Sequence, residues 1–275
     1  METSGPDRRN RASDRGSTLE VQAVSATYTE RRMNLPVIDD VSFSVQSGEF
    51  VALIGPSGCG KSTMLDIVAG LIEPDVGVIV VDGATTTTKD RLGRSAYMHQ
   101  RDLLLPWRNA VDNAAIALRI QGVPRSAARQ QAASQFAAFD LTGFEDKYPA
   151  QLSGGMRQRV AFVRTMLGGQ RLILLDEPFG SLDAMTRTAA QDWLAAGLAR
   201  DRRTVLLVTH DVDEAIFLAD RVIVLSSRPG RIIHVESIGL ARPRPREFML
   251  SDAFSAHRFE LMTRLGLIAS GETLS

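Results

Sequence analysis

Residues 55–63 read Gly-Pro-Ser-Gly-Cys-Gly-Lys-Ser-Thr, packing three glycines and one lysine into nine positions. The string follows an apolar run, Phe50 to Ile54, and precedes Met64 to Leu71, which has helical periodicity. A strand, a glycine-rich turn and a helix in that order form a phosphate cradle. Glycines let successive backbone N–H groups converge on one point, and the positive end of the helix faces the same point. Lys61 adds a mobile cation for β- and γ-phosphates, and Ser62 offers a hydroxyl to Mg²⁺. At background residue frequencies the string arises by chance in roughly one chain in a hundred. The flanking strand and helix lower that figure, so nucleotide binding at Gly55, Pro56, Ser57, Gly58, Cys59, Gly60, Lys61, Ser62 and Thr63 is expected.

Three further places carry groups suited to phosphate chemistry. Leu172-Ile173-Leu174-Leu175-Asp176-Glu177 reads as a buried strand ending in two carboxylates. At the C-terminal edge of a parallel sheet such carboxylates meet ligand. Asp176 is suited to hold Mg²⁺ through water, and Glu177 to polarise an attacking water. Thr204 to Val208 is a second aliphatic strand, followed by Thr209 and then His210 at the same edge. Ser153-Gly154-Gly155 opens a helical run to Met166. It reads equally as a simple helix cap or as a second anion-binding tip, with exposed amides and a dipole of about half a charge. Tyr28 ends a strand and stands at a distance before the loop that suits stacking on a base; partly buried packing is the plain alternative.

These groups need a sheet to align them. Leu19 to Thr27 alternates apolar and polar residues, as in a half-buried strand. Val37-Ile38 with Val41 to Val45, Val76 to Val81, and Arg94 to Met98 read as further strands, and Asp82-Gly83 as a hairpin turn. Residues 109–141 are rich in Ala, Gln and Leu, with Pro124 at a helix start, and interrupt the β/α alternation as an inserted helical unit. Helices are expected over 184–199 and 211–219, and closing strands over 221–225 and 232–235. Phe254, Phe259, Leu261, Met262 and Leu265 predict a docked terminal helix.

Bulk composition narrows the class. Of 275 residues, 32 are Lys or Arg and 32 Asp or Glu, so no global field draws the chain to nucleic acid or to an acidic membrane. The single cysteine excludes an internal disulfide and suits a reducing compartment. No apolar stretch approaches the ~20 residues that span a bilayer, and residues 1–18 lack the apolar core of a signal peptide. A disordered tail is expected there, with a basic lipid anchor as its alternative, on a soluble cytoplasmic protein.

Taken together these residues resemble the ATP-binding subunits of ABC transporters from about Leu19 to Val235. The resemblance places the Walker A loop at Gly55–Ser62, the glutamine loop at Gln100, and the LSGG signature at Ser153–Gly155. Walker B falls at Leu172–Glu177, the D-loop at Ser181-Leu182-Asp183 and the switch histidine at His210. It implies an α/β P-loop NTPase (RecA-like) core with an N-terminal antiparallel β-subdomain and an inserted α-helical subdomain. The ATPase domain would run over 19–240, with the helical part at 101–168, and a helical extension over 241–275. It further implies ATP and Mg²⁺, the cation at Ser62, Gln100 and Asp176, and catalysis by Glu177, His210 and Gln100. Two copies would meet head to tail, each lending Ser153, Gly154 and Gly155 to the other's nucleotide, with Asp183 at the junction and Tyr28 on adenine.

Met156 stands where many members have glutamine. Together with Leu105-Pro106-Trp107, Phe179-Gly180 and Ser227-Arg228-Pro229-Gly230, it resembles the nitrate/sulfonate/taurine importer group. That group implies an integral membrane permease docking on residues 102–113, indirectly an extracytoplasmic solute-binding protein, and a peripheral place on the cytoplasmic face of the inner membrane. Leu103, Leu104, Leu105 and Trp107 form the apolar knob for that contact, with core packing as the alternative. A soluble ABC ATPase acting on DNA or ribosomes is the competing class, disfavoured by neutral charge and a single cassette. A P-loop kinase would leave Ser153–Gly155 and His210 without a role.

Overall fold

The computed structural model describes residues 16–268 apart from residues 31, 32 and 181. In chain order the first elements are β1 (Leu19–Glu30), β2 (Met33–Val45), β3 (Phe50–Ile54) and α1 (Lys61–Ala69). Next come β4 (Val76–Val81), β5 (Ala84–Thr86), α2 (Thr88–Arg91) and β6 (Ser95–Met98). The chain then turns helical through α3 (Ala110–Ala114), α4 (Ile116–Ile120), α5 (Arg125–Phe136) and α6 (Gly154–Met166). It returns to alternation with β7 (Leu172–Asp176), α7 (Ala184–Asp201), β8 (Thr204–Val208), α8 (Val212–Leu218), β9 (Arg221–Leu225) and β10 (Ile232–Ser237), and ends with α9 (Asp252–Arg264).

Two sheets result. The order β2-β1-β4-β5 is antiparallel throughout, and the order β10-β9-β3-β8-β7-β6 is parallel except for β10. Four of the five parallel strands, β3, β7, β8 and β9, are largely aliphatic because both faces are covered, whereas the edge strand β6 reads Ser-Ala-Tyr-Met. Their alternate residues serve two cores. Val51, Leu53, Leu172, Leu174, Leu206 and Val208 face α1 and the antiparallel sheet. Ala52, Ile54, Ile173, Leu175, Val205 and Leu207 join the core that also holds buried residues of α6, α7 and α8. Shifting any one strand by a single residue would exchange these two sets, so its register is firmly specified.

Three expectations need correction. Gly16, Ser17 and Thr18, expected in the disordered tail, are docked. Ser47 Oγ donates to Gly16 O, Thr204 Oγ1 to Ser17 O, and Thr18 N to Asp82 Oδ1 at 3.1 Å. The remainder, residues 1–15, lies outside the described residues. Second, the strand expected from Val37-Ile38 and Val41 to Val45 forms as one, but begins earlier, at Met33, and runs with bulges through Pro36. It is tolerated because β2 is an edge strand, where a missing N–H costs no ladder bond. Third, α9 forms, but Phe259 points outward at 54 % exposure while Phe254 and Leu261 carry the burial.

Between β10 and α9 the chain crosses the back of the molecule on alternating arginines. Arg242 pairs with both carboxylate oxygens of Asp220. Arg244, buried, donates to the carbonyls of Ile216, Phe217 and Ala219 and so satisfies the C-terminal end of α8. Arg246 reaches Asp192 and Thr188 O on α7. The two helices behind the candidate site are therefore held from one strap.

Candidate functional site

The phosphate loop forms as expected. Gly58 and Gly60 take φ of +77° and +103°, conformations that side-chain-bearing residues rarely adopt. Gly60 caps α1 without any side-chain hydrogen bond, which leaves the first amides of that helix for a ligand. Lys61 is folded back, its ammonium donating to Gly55 O at 2.8 Å and Pro56 O at 3.0 Å. Buried Cys59 lies behind the loop, its thiol pushed up by burial, which fits a packing residue.

A cleft of about 380 Å³ opens in front. Ser57, Gly58, Gly60, Lys61, Ser62 and Thr63 form one side of it. Tyr28, Val37, Gln100, Glu177 and Arg228 complete the wall. Tyr28 is 43 % exposed, and its hydroxyl lies 3.2 Å from Thr63 Oγ1, so its ring is available at the rim. Gly55 and Cys59 are buried, Pro56 is exposed, and none of the three lines the cleft.

The carboxylates sit where β7 ends. Ser62 Oγ donates to Asp176 Oδ1 at 3.0 Å across 114 positions of sequence. Burial pushes the Asp176 carboxyl up to about 6, reinforced by the neighbouring charge of Glu177 and opposed by the Ser62 hydrogen bond. Glu177 has φ +46°, an uncommon conformation for a residue with a side chain, fixed by its N–H donating to Val208 O at 2.8 Å. Its Oε2 accepts from Gln100 Nε2 at 3.0 Å and lies 3.3 Å from His210 Nδ1. The three groups meet at the mouth of the cleft, with His210 61 % exposed and Glu177 only 22 %.

Other expected site residues stand apart. Ser153 accepts from Met156 N at 3.2 Å and caps α6, so in the single chain the cap reading holds. None of Ser153, Gly154 or Gly155 lines the cleft. Asp183 likewise caps a helix, accepting from Thr186 N at 3.1 Å, and hydrogen bonds from the Thr186 hydroxyl and then its amide hold the carboxyl below the usual range. Ser181 lies outside the described residues. The apolar knob divides: Leu104 is buried, whereas Leu103 and Trp107 are 50 % and 71 % exposed.

Two features were not foreseen. The loop after Gln100 is gripped by α6: Arg157 pairs with Asp102 at 2.9 Å, and Arg164 donates to Asp102 O and Leu103 O at 2.7 and 2.8 Å. Movement at Gln100 is thus tied to the helix that begins at Ser153. In the first turn of α8, Glu214 is buried and one carboxylate oxygen has no hydrogen-bond partner among the described residues. Burial, then the charge of Asp211, pushes its carboxyl up to about 8, against hydrogen bonds from Thr209 and Gln191. Folded chain therefore keeps a proton that unfolded chain releases near the ordinary 4.5. The stabilising effect of that proton is full below pH 4.5 and is lost as pH rises through about 8. Glu214→Gln is expected to remove this loss. Urea midpoints measured from pH 5 to pH 9 should show the variant gaining on the natural chain as pH rises; parallel curves would refute the buried proton.

Comparison with known proteins identifies the family. Residues 38–180 match the family model described as ABC transporter. The taurine import ATP-binding protein TauB of Burkholderia pseudomallei is 42 % identical over 226 residues, 82 % of this chain and 85 % of the relative. The formylaminopyrimidine import ATP-binding protein ThiZ of Halalkalibacterium halodurans is 43 % identical over 211 residues, covering 77 % and 80 %. The aliphatic sulfonates import ATP-binding protein SsuB of Bacillus cereus is 37 % identical over 229 residues, covering 83 % and 89 %. Among solved structures, the dimeric post-hydrolysis state of the ATP-binding cassette MJ0796 with ADP and Pi aligns with TM-score 0.72 at 29 % identity, covering 81 % of this chain and all of that one. The match to the family model over residues 38–180 and the identity and coverage of these relatives show that the chain belongs to the ABC transporter ATP-binding family.

Proposed function

We propose that the chain is the ATP-hydrolysing subunit of an importer, driving uptake of a small anionic or heterocyclic solute through a separate permease. The observation that carries this reading is Glu177, held between Gln100 and His210 at the mouth of the phosphate-loop cleft. In this reading the amides of residues 58–62 and Lys61 receive the triphosphate, Lys61 exchanging its two carbonyl partners for phosphate oxygens. Glu177 takes a proton from water as that water attacks the γ-phosphorus. Gln100 orients the water, and His210 contacts the γ-phosphate, so that ADP and phosphate leave. A hydroxyl beside a buried carboxylate fits the oxygen preference of Mg²⁺. Ser62, Asp176 and Gln100 would hold the cation, which neutralises charge on the β- and γ-phosphates.

One chain leaves the outer side of the γ-phosphate open, because Ser153–Gly155 lie away from its own cleft. A second copy, head to tail, supplies them. Exposed Trp107 and Leu103 support the permease contact. Trp107 edges a larger cleft of about 590 Å³ whose wall includes Arg108, Arg119, Arg125, Arg129 and Tyr148, and which carries none of the phosphate-loop groups. Among the described residues no helix is long and apolar enough to cross a membrane, in keeping with a peripheral subunit on the cytoplasmic face. Cargo choice then rests with the permease and with an extracytoplasmic solute-binding protein. The test is to express the tagged chain in its source cells and reconstitute what copurifies in vesicles. ATP-dependent uptake of taurine, an alkylsulfonate, nitrate or an aminopyrimidine is expected. Copurification with ribosomes or DNA and with no membrane protein would overturn the proposal.

A further inference from the structure

Arg228 stands in the turn between β9 and β10, and its side chain lines the same cleft as Tyr28 and Val37. That turn is fixed from two sides. Gly230 N donates to Val37 O at 2.8 Å, Asp39 N donates to Gly230 O at 3.1 Å, and Arg231 pairs with Asp39. Within the turn Ser226 Oγ donates to Pro229 O at 3.1 Å and accepts from Arg231 N at 3.0 Å. On its other side the turn closes against the phosphate loop. A Cβ on Gly230 would lie 2.2 Å from Cys59 O, so glycine is required for that approach. A rigid platform thus carries Arg228, anchored to both β2 and the loop that receives phosphate.

Its guanidinium makes no hydrogen bond or ion pair among the described residues, whereas Arg231 on the same turn is paired. Location within the cleft decides what it can meet. Arg228 is tied through Gly230 to Val37, and Tyr28 pairs across the ladder with Leu35, two residues along β2. Ser62, Gln100 and Glu177 are instead joined through the end of β7, and Lys61 is folded back on Gly55 O and Pro56 O. Tyr28, Val37 and Arg228 thus form a wall that meets the loop at Thr63 and Gly60 and carries an aromatic ring, a valine and a planar cation. A guanidinium plane lies well on a purine face and, being weakly hydrated, loses little on doing so.

We propose that Arg228 is a nucleobase-contacting residue, which with Tyr28 grips the purine of the bound nucleotide and leaves the triphosphate to the loop. The proposal rests on the nucleotide reading of the cleft, so its test separates the two. Binding of ATP and of inorganic tripolyphosphate to the full-length chain is measured by calorimetry for the natural protein, Arg228→Ala, Arg228→Lys and Lys61→Ala. Arg228→Ala is expected to weaken ATP about three- to tenfold and to leave tripolyphosphate unchanged. Lysine at 228 should not restore ATP affinity, because the flat face is lost. Equal weakening of both ligands would make Arg228 a phosphate contact and overturn the proposal. Unchanged ATP affinity, or full rescue by lysine, would overturn it too. A Lys61→Ala chain that still bound both ligands normally would instead remove the nucleotide reading of this cleft. Arg228 is exposed and without a hydrogen bond or ion pair among the described residues, so the alanine variant is expected to fold normally, and circular dichroism checks that.

Discussion

Glu177→Gln in the assembled transporter is expected to cut steady-state ATP turnover by about 10²- to 10⁴-fold while ATP binding is retained. The substitution is nearly isosteric. A glutamine oxygen still accepts from Gln100, and the left-handed backbone at φ +46° is set by the hydrogen bond from Glu177 N to Val208 O, which does not involve the side chain. What disappears is the negative charge that accepts a proton from water. Geometry therefore predicts an intact, nucleotide-loaded complex that fails at the chemical step. Single-turnover assays with radiolabelled ATP would separate the two. Slow cleavage with normal ATP affinity supports the general base, and cleavage at the natural rate removes Glu177 from that role. His210 lies 3.3 Å from the same oxygen but is largely exposed. Its effect depends on closure around the nucleotide, and the loss on His210→Ala should be the smaller where closure is incomplete.

Local signals in the sequence carried further than the long-range ones. Phe50–Ile54 before the glycine loop and Leu172–Asp176 before Glu177 are buried five-residue strands because a two-sided parallel sheet demands unbroken aliphatic runs. Asp82-Gly83 turns β4 into β5 because both residues take positive φ. By contrast, nothing in residues 33–45 announces that Pro36 sits on a sheet edge, since edge or centre is decided by strand order. Phe259 falls in the apolar pattern of α9 yet faces out, because that helix buries a narrow stripe around Phe254 and Leu261. Site contacts follow the same division. The loop residues were readable from spacing, but the Ser62–Asp176 hydrogen bond and the Arg157–Asp102 pair join residues 114 and 55 positions apart. Arg228 belongs to a motif visible in the sequence, but its exposure in the cleft depends on the Gly230 packing against Cys59.

Ser153→Arg is expected to abolish turnover, by about 10²-fold or more, in a chain that still binds ATP. In the single chain Ser153 is exposed, does not line the nucleotide cleft, and only caps α6 through Met156 N. Loss of that cap costs about 1 kcal/mol, too little to unfold a domain of this size. An arginine there fills the space into which the γ-phosphate of a partner's nucleotide must fit, so the damage falls on the neighbouring site. Mixed dimers make this visible. Pairing a Ser153→Arg chain with a Lys61→Ala chain puts both lesions on one composite site, since the Lys61→Ala loop faces the arginine, and leaves the other site whole. Placing both substitutions in one chain and pairing it with a natural chain damages both composite sites. If the sites are assembled across two copies, the first mixture retains one intact nucleotide site and the second retains none. Counting trapped nucleotide per dimer after inhibition of hydrolysis distinguishes them. Were each site built within one chain, the two mixtures would exchange results: the double-mutant chain would leave its partner's site untouched, and the split arrangement would damage both.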